Sequence, residues 1–147
     1  MLFLILGIVL FSITSKWELI LSVVGVGITL AFGVSQSKLA NDRMFKELFT
    51  EFNKRYNNLN DDLQRITLEG ELNHSDSLKI IDYFNLCAEE YMWFRKSRIS
   101  CEVWDSWVNG IASYKKNDHF KEVACSEREF DSSYYHFFTE VWDKIST

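Results

Sequence analysis

The sequence predicts an all-α protein: an N-terminal transmembrane helix or helical hairpin, followed by a cytoplasmic helical bundle of about five helices. Three observations predict it. Two adjacent stretches at the N-terminus carry no charged side chain, apolar residues beyond them recur at helical spacing, and the 147 residues contain no proline. Proline serves the loops and edges of turn-rich β proteins, so its absence leans towards helices joined by short connections.

The first uncharged stretch is Met1–Thr14, the break is Ser15–Glu18, and the second stretch is Leu19–Val34. A bilayer core about 30 Å thick needs about 20 helical residues. Trp17–Gln36 meets that length and puts Trp17 at an interface, where amphipathic rings sit well. The first stretch is shorter. In one reading, residues 1–15 and 17–36 form a hairpin with a tight turn at Ser15–Glu18. In another, a single crossing helix follows an interfacial segment. A cleaved signal peptide is the third reading, and it wants a basic start that Met1–Leu6 does not have.

Lys38, Arg43, Lys46, Lys54 and Arg55 follow the second stretch within the range over which positive charge sets topology. The other flank offers only Lys16, with Glu18 beside it. A cytoplasmic domain of residues 37–147 is therefore expected, held at a bacterial inner membrane. Gly27, Ala31 and Ser35 recur four apart on one ridge, the pattern through which membrane helices approach closely. Small residues are also common in such helices for no such purpose. If the ridge is used, the chain's own first stretch around Gly7 is one partner for it.

After the membrane segment, Ser37–Ile66 has neither glycine nor proline and should be helical. Its apolar positions Phe45, Phe49, Phe52, Tyr56, Leu59, Leu63 and Ile66 are spaced 4, 3, 4, 3, 4, 3, a heptad seam. The seam fits a coiled coil between subunits or one wall of an intramolecular bundle. Its large rings suit the bundle better, because parallel dimers favour Leu, Ile and Val. Thr67–Ser75 is a break containing Gly70, and Ser75 or Asp76 can cap the next helix. That helix, about Ser77–Ser97, shows Ile80, Phe84, Cys87, Tyr91 and Phe94 on one face. Ser100 reads as the N-cap of a third helix, about Cys101–Tyr114, with Val103, Trp104, Trp107, Val108 and Ile111 inward. Two shorter helices follow: His119–Phe130, with Phe120, Val123, Ala124 and Phe130 inward, and Ser133–Ile145, capped by Asp131 or Ser132. An apolar stripe on every segment means a bundle. Beyond residue 36, nine Phe, six Tyr and four Trp supply it, far too many for a disordered tail.

Composition also excludes functions. A net charge of −5, with basic residues interleaved among acids, argues against nucleic-acid binding. Cys87, Cys101 and Cys125 are odd in number and widely spaced, which suits a reducing compartment rather than a disulfide framework. His74, His119 and His136 show no metal-ligand spacing, so no metal or other cofactor is expected. Cys87 lies on an apolar face, where a thiol acts as a small hydrophobe. Asp61-Asp62 and Glu89-Glu90 point about 100° apart on a helix and do not make a shared proton site. A buried ion pair or a hydrogen bond, with Arg95 or Arg98 in reach, is the plainer role for Glu89 and Glu90. Arg128 and His136 lack the spacing of helical nucleases, and the six glycines form no phosphate loop. Trp93, Trp104, Trp107 and Trp142 at helical spacing read first as core. A pocket at Glu89, Glu90 and Trp104 would be the sign of an enzyme that carries no sequence motif.

The run Phe45-Lys46-Glu47-Leu48-Phe49, then Glu51 to Tyr56 and Leu59-Asn60, resembles a group of small bacterial membrane-anchored proteins of unknown function. A second block, Asp82 to Leu86 and Glu89-Glu90-Tyr91, then Ile99 and Val103-Trp104, is similar to the same group. The likeness covers about residues 17–110 and departs from the group at Met1–Thr14. It implies bacterial origin and inner-membrane anchorage, and no reaction, cofactor or site residue. The expected function is a membrane-anchored interaction or regulatory module without a recognisable catalytic site. Its partners would be the lipid bilayer and a protein or a second copy of the chain, met through Gly27, Ala31 and Ser35 in lipid and Phe45, Phe49, Phe52 and Tyr56 outside it. The alternative is a membrane-acting effector, of phage-defence or toxin type, that oligomerises through its transmembrane helices.

Overall fold

The computed structural model describes the backbone of residues 2–145 and the side chains of residues 16–145. Four α-helices follow one another: α1 (Leu2–Leu68), α2 (His74–Arg95), α3 (Cys101–Lys115) and α4 (Asp118–Glu127). A 3-10 turn at Arg128–Phe130 and a π-helical turn at Phe138–Trp142 complete the chain, with no strand among the described residues. The all-α class is the one the sequence predicts. Two compact units are present, Met1–Arg43 and Met44–Thr147.

In the first unit, α1 carries a stretch long and apolar enough to cross a membrane. Every large apolar residue from Trp17 to Val34 is exposed, from 49% at Ile20 to 69% at Leu19. The hydroxyls in it are turned onto their own helix: Ser22 Oγ donates to the Glu18 carbonyl at 2.8 Å and Thr29 Oγ1 to the Gly25 carbonyl at 2.9 Å. That arrangement suits lipid, where each polar group must find a partner within the protein. Helix α1 passes through Ser15–Glu18 without the turn that the hairpin reading places there. All four residues keep the backbone N–H that proline would remove, and none carries the added backbone freedom of glycine, which is the physical reason for the difference. The remaining expectations for Met1–Thr14, including a seat for the ridge at Gly7, concern side chains outside the described residues.

The second unit is built around rings. From α1, Phe52, Leu63 and Ile66 are fully buried, and Tyr56 and Leu59 pack against them, so the lower seam is a wall of the chain's own bundle. Phe84 of α2 stands at the centre. Its ring lies 5.1–6.5 Å from those of Phe120, Phe137, Phe138 and Trp142, mostly edge-on as the ring quadrupoles prefer.

The helix ends show why each element begins and stops where it does. Asn73, rather than Ser75 or Asp76, caps α2: its side chain accepts from the Asp76 amide at 3.0 Å. Asp76 is instead buried at 2% exposure and takes Arg65 Nη2 at 2.5 Å and Asn73 Nδ2 at 2.5 Å. Helix α2 ends in a Schellman arrangement, with the Arg98 amide donating to the Trp93 carbonyl at 3.1 Å and the Ser97 amide to the Phe94 carbonyl at 2.8 Å. Ser97 pays for it with φ of 56°, in the left-handed region. Ser100 caps α3 through the Val103 amide, as the sequence predicts, and Asn117 caps α4 through the His119 amide.

The last expected helix, Ser133–Ile145, is corrected. Residues 131–136 are turns, with φ of 53° at Tyr135 and 66° at His136, and helical structure resumes only at Phe137. Asp131 does act as a cap, but for that later turn, accepting from the Phe138 amide at 2.9 Å and Thr139 Oγ1 at 2.7 Å. Burial of Phe137, Phe138, Val141 and Trp142 sets this geometry against local preference. Phe130, expected inward, is 58% exposed. At the far end, Lys115 Nζ donates to the carbonyls of Trp142 at 2.5 Å and Ile145 at 2.8 Å, satisfying groups that a short helix leaves open.

Candidate functional site

The three walls formed by α1, α2 and α3 leave a cavity of about 200 Å³. From α1 come Phe52, Asn53 and Tyr56. From α2 come Tyr83, Leu86, Cys87 and Glu90, at the spacings that keep them on one helix face. Helix α3 contributes Trp107 and Ile111, with the exposed Ser106 and Gly110 at the mouth.

The carboxyl of Glu90 decides the character of the space. Glu90 is buried at 6% exposure and lines the cavity; no side-chain oxygen among the described residues is both sealed from solvent and unpaired, so its carboxyl opens onto this space. Burial is the main cause that pushes its pKa up to about 8, with Glu89 adding to the rise and the Arg55 guanidinium opposing it. Its neighbour Glu89 has the opposite environment. Arg55 Nη1 and Nη2 donate to the two oxygens of Glu89 at 2.6 and 3.1 Å, so the guanidinium is committed elsewhere. The ion pair expected for one of the two glutamates is thus made by Glu89 with a residue of α1.

The remaining polar groups near the cavity are kept neutral. Burial, and then the nearby Glu90, raises the Cys87 thiol well above its ordinary value. Tyr83 is likewise raised, by burial and by Cys87. A buried thiol held protonated is a weak nucleophile. The Tyr56 and Tyr114 hydroxyls meet at 3.2 Å, and Gln64 Nε2 donates to Tyr114 at 3.3 Å. The arrangement can hold a molecule and offer it one acid and several aromatic rings. Among the described residues, no cluster of His, Cys, Asp and Glu is placed to hold a metal ion.

The residues singled out from sequence divide into three places. Gly27, Ala31 and Ser35 are exposed on α1, with open space around Gly27. Phe52 and Tyr56 face the cavity, while Phe45 and Phe49 lie outside it. Phe45 stacks on Phe49 at 5.8 Å, Phe49 on Trp107 at 6.2 Å, and Trp107 meets Phe52 edge-on at 5.9 Å. A row of rings thus runs from the surface, where Phe49 is 40% exposed, to the cavity wall. A pocket does exist at Glu90, but beside Trp107: Trp104 stacks on Phe94 at 5.0 Å, away from it. Of the histidines, His119 is half-buried with Nε2 at 3.0 Å from the Glu69 carbonyl, and the other two are exposed. Sequence reasoning missed that α3 completes the cavity. The signal was present in Gly110, a residue without a side chain on the face that also carries Trp107.

No protein-family model matches the chain, and no curated protein or solved structure matches it either.

Proposed function

We propose that this protein is a membrane-anchored interaction or regulatory module of a bacterial inner membrane, with residues 37–147 in the cytoplasm and acting through a protein partner. The observation that carries the reading is the bare apolar surface from Trp17 to Val34, beside a second unit whose own apolar residues are mostly buried. A helix apolar on all sides belongs in lipid or in another protein's core. Lys38, Arg43 and Lys46 support the cytoplasmic placement. The Phe45–Phe49–Trp107 row supports a partner surface, because aromatic rings concentrate at interface hot spots.

The test is photo-crosslinking of the full chain in its native membrane. A crosslinking residue at Phe49 should give one discrete adduct, and the same residue at the exposed Glu122 of α4 should give none. Equal adducts at both positions, or no adduct at Phe49, defeat the reading. Recovery of the chain in the soluble fraction defeats the anchorage.

A second reading, the membrane-acting effector, draws support from the uncovered Gly27, Ala31 and Ser35 ridge. Overexpression should then depolarise cells, and Gly27→Leu should abolish the effect by preventing close helix approach.

A further inference from the structure

We propose that the cavity between α1, α2 and α3 is a binding site for a small aromatic amine, whose ammonium group pairs with the Glu90 carboxylate while its ring lies among Phe52, Tyr56 and Trp107. The inference is independent of the partner and the membrane reading above.

Size comes first. An apolar cavity of about 150 Å³ accepts a benzene molecule. At about 200 Å³, this one takes a single ring with a short side chain and excludes a nucleotide or a peptide.

Chemistry narrows the choice further. Glu90 is the one acid among the described residues that line the space, it is only 6% exposed, and its carboxyl opens onto the cavity. A buried carboxyl in that position costs free energy until a donor meets it. The cavity is also lined by the rings of Phe52, Tyr56, Tyr83 and Trp107, and an aromatic face attracts a cation but not an anion. An acid and aromatic faces in one enclosure therefore select an ammonium group, with the hydrocarbon part supplying burial.

The charged surroundings fix how binding responds to pH. On α1, Arg55 opposes protonation of Glu90, and Tyr56 lines the cavity with a ring and a hydroxyl. On α2, Glu89 favours protonation, while Tyr83 and Cys87 are held neutral. Helix α3 presents Ser106, Trp107, Gly110 and Ile111 to the cavity, none of them titratable, and Tyr114 lies behind. Taking up an ammonium ion converts Glu90 to its carboxylate and releases one proton to solvent.

The experiment is calorimetric titration of the full chain in detergent with 2-phenylethylamine, and with ethylbenzene and phenylacetate in parallel. The amine should bind, phenylacetate should not, and amine affinity should rise up to about tenfold per pH unit between pH 6 and 7.5 with release of a proton. Glu90→Gln should weaken the amine by about tenfold or more and remove the pH dependence, while Glu51→Gln, a charge change on an exposed part of α1, should leave both intact. Unchanged melting cooperativity of Glu90→Gln separates loss of binding from loss of fold. Amine binding that survives Glu90→Gln, equal binding of phenylacetate, or no amine binding at millimolar concentration overturns the proposal.

Discussion

Arg55 grips both carboxylate oxygens of Glu89, at 2.6 and 3.1 Å, and in doing so ties α1 to α2 one residue away from an acid it does not hold. Two adjacent glutamates thus live in different chemistries. Both partners of the pair remain about a third exposed, which keeps the tie modest. A double-mutant cycle of Arg55→Met and Glu89→Gln, followed by urea unfolding, should give a coupling of roughly 0.5–1 kcal/mol. A second consequence is separable from it. Arg55 lowers the Glu90 pKa through its charge, so Arg55→Met should push Glu90 higher still, measurable by carboxyl NMR titration.

Glu90 itself should make stability depend on pH in the direction opposite to an ordinary surface acid. Its folded pKa of about 8 lies above the usual 4.5, so the folded chain holds a proton that the unfolded chain gives up. The contribution is fully present below about pH 4.5 and is lost as pH rises to about 8. The slope in that window is about −1.4 kcal/mol per pH unit, a total on the order of a few kcal/mol. Glu90→Gln should flatten this part of the profile and leave the variant more stable than the parent at pH 8. Denaturant midpoints at pH 5 and pH 8 check it. An unchanged slope would contradict the assignment.

Asp76 should act with the opposite sign. The Arg65 guanidinium, and then the Asn73 amide, hold its carboxyl below the usual carboxylate range. Its stabilisation is present above the unfolded pKa and disappears as pH falls through the lower folded value. Asp76→Asn should therefore lower the melting temperature at pH 7 and change it less at pH 2, where the parent has lost the same interaction.

Ser97 occupies a left-handed position at the end of α2, where any side chain is strained. Ser97→Gly should stabilise the chain by about 1 kcal/mol, because the relief of that strain exceeds the added freedom of the unfolded glycine. Thermal melts of the two proteins decide the point.

Phe84 touches five other rings and is fully buried. Phe84→Ala should cost about 3–5 kcal/mol, the transfer term plus the hole left in a stiff aromatic core. Near-ultraviolet circular dichroism should lose most of its fine structure at the same time.

The parts of this fold that could be read in advance are those where one periodicity dominates. The seam from Phe52 to Ile66, the face of α2 and the Ser100 cap all follow from spacing and local chemistry. What could not be read is set by contacts distant in sequence. Nothing local announces that Tyr135 and His136 turn left-handed, because the driving force is the burial of Phe137 and Phe138 against Phe84. Nothing local says that Arg55 chooses Glu89 over Glu90, since the choice depends on how α1 and α2 are rotated about their axes. The cavity has the same origin: its lining residues look like ordinary core positions on three separate helices, and only their meeting leaves a gap.

Three cysteines, one sealed and two open, give the chain a built-in clock. Cys101 and Cys125 stand in solvent, whereas Cys87 is closed behind the same three helices that frame Glu90. A bulky thiol reagent should consume the first two at once and the third only as often as those helices part. The slow phase counts openings of the second unit in the native state, without any label being introduced. Anything that settles into the cavity should lengthen it.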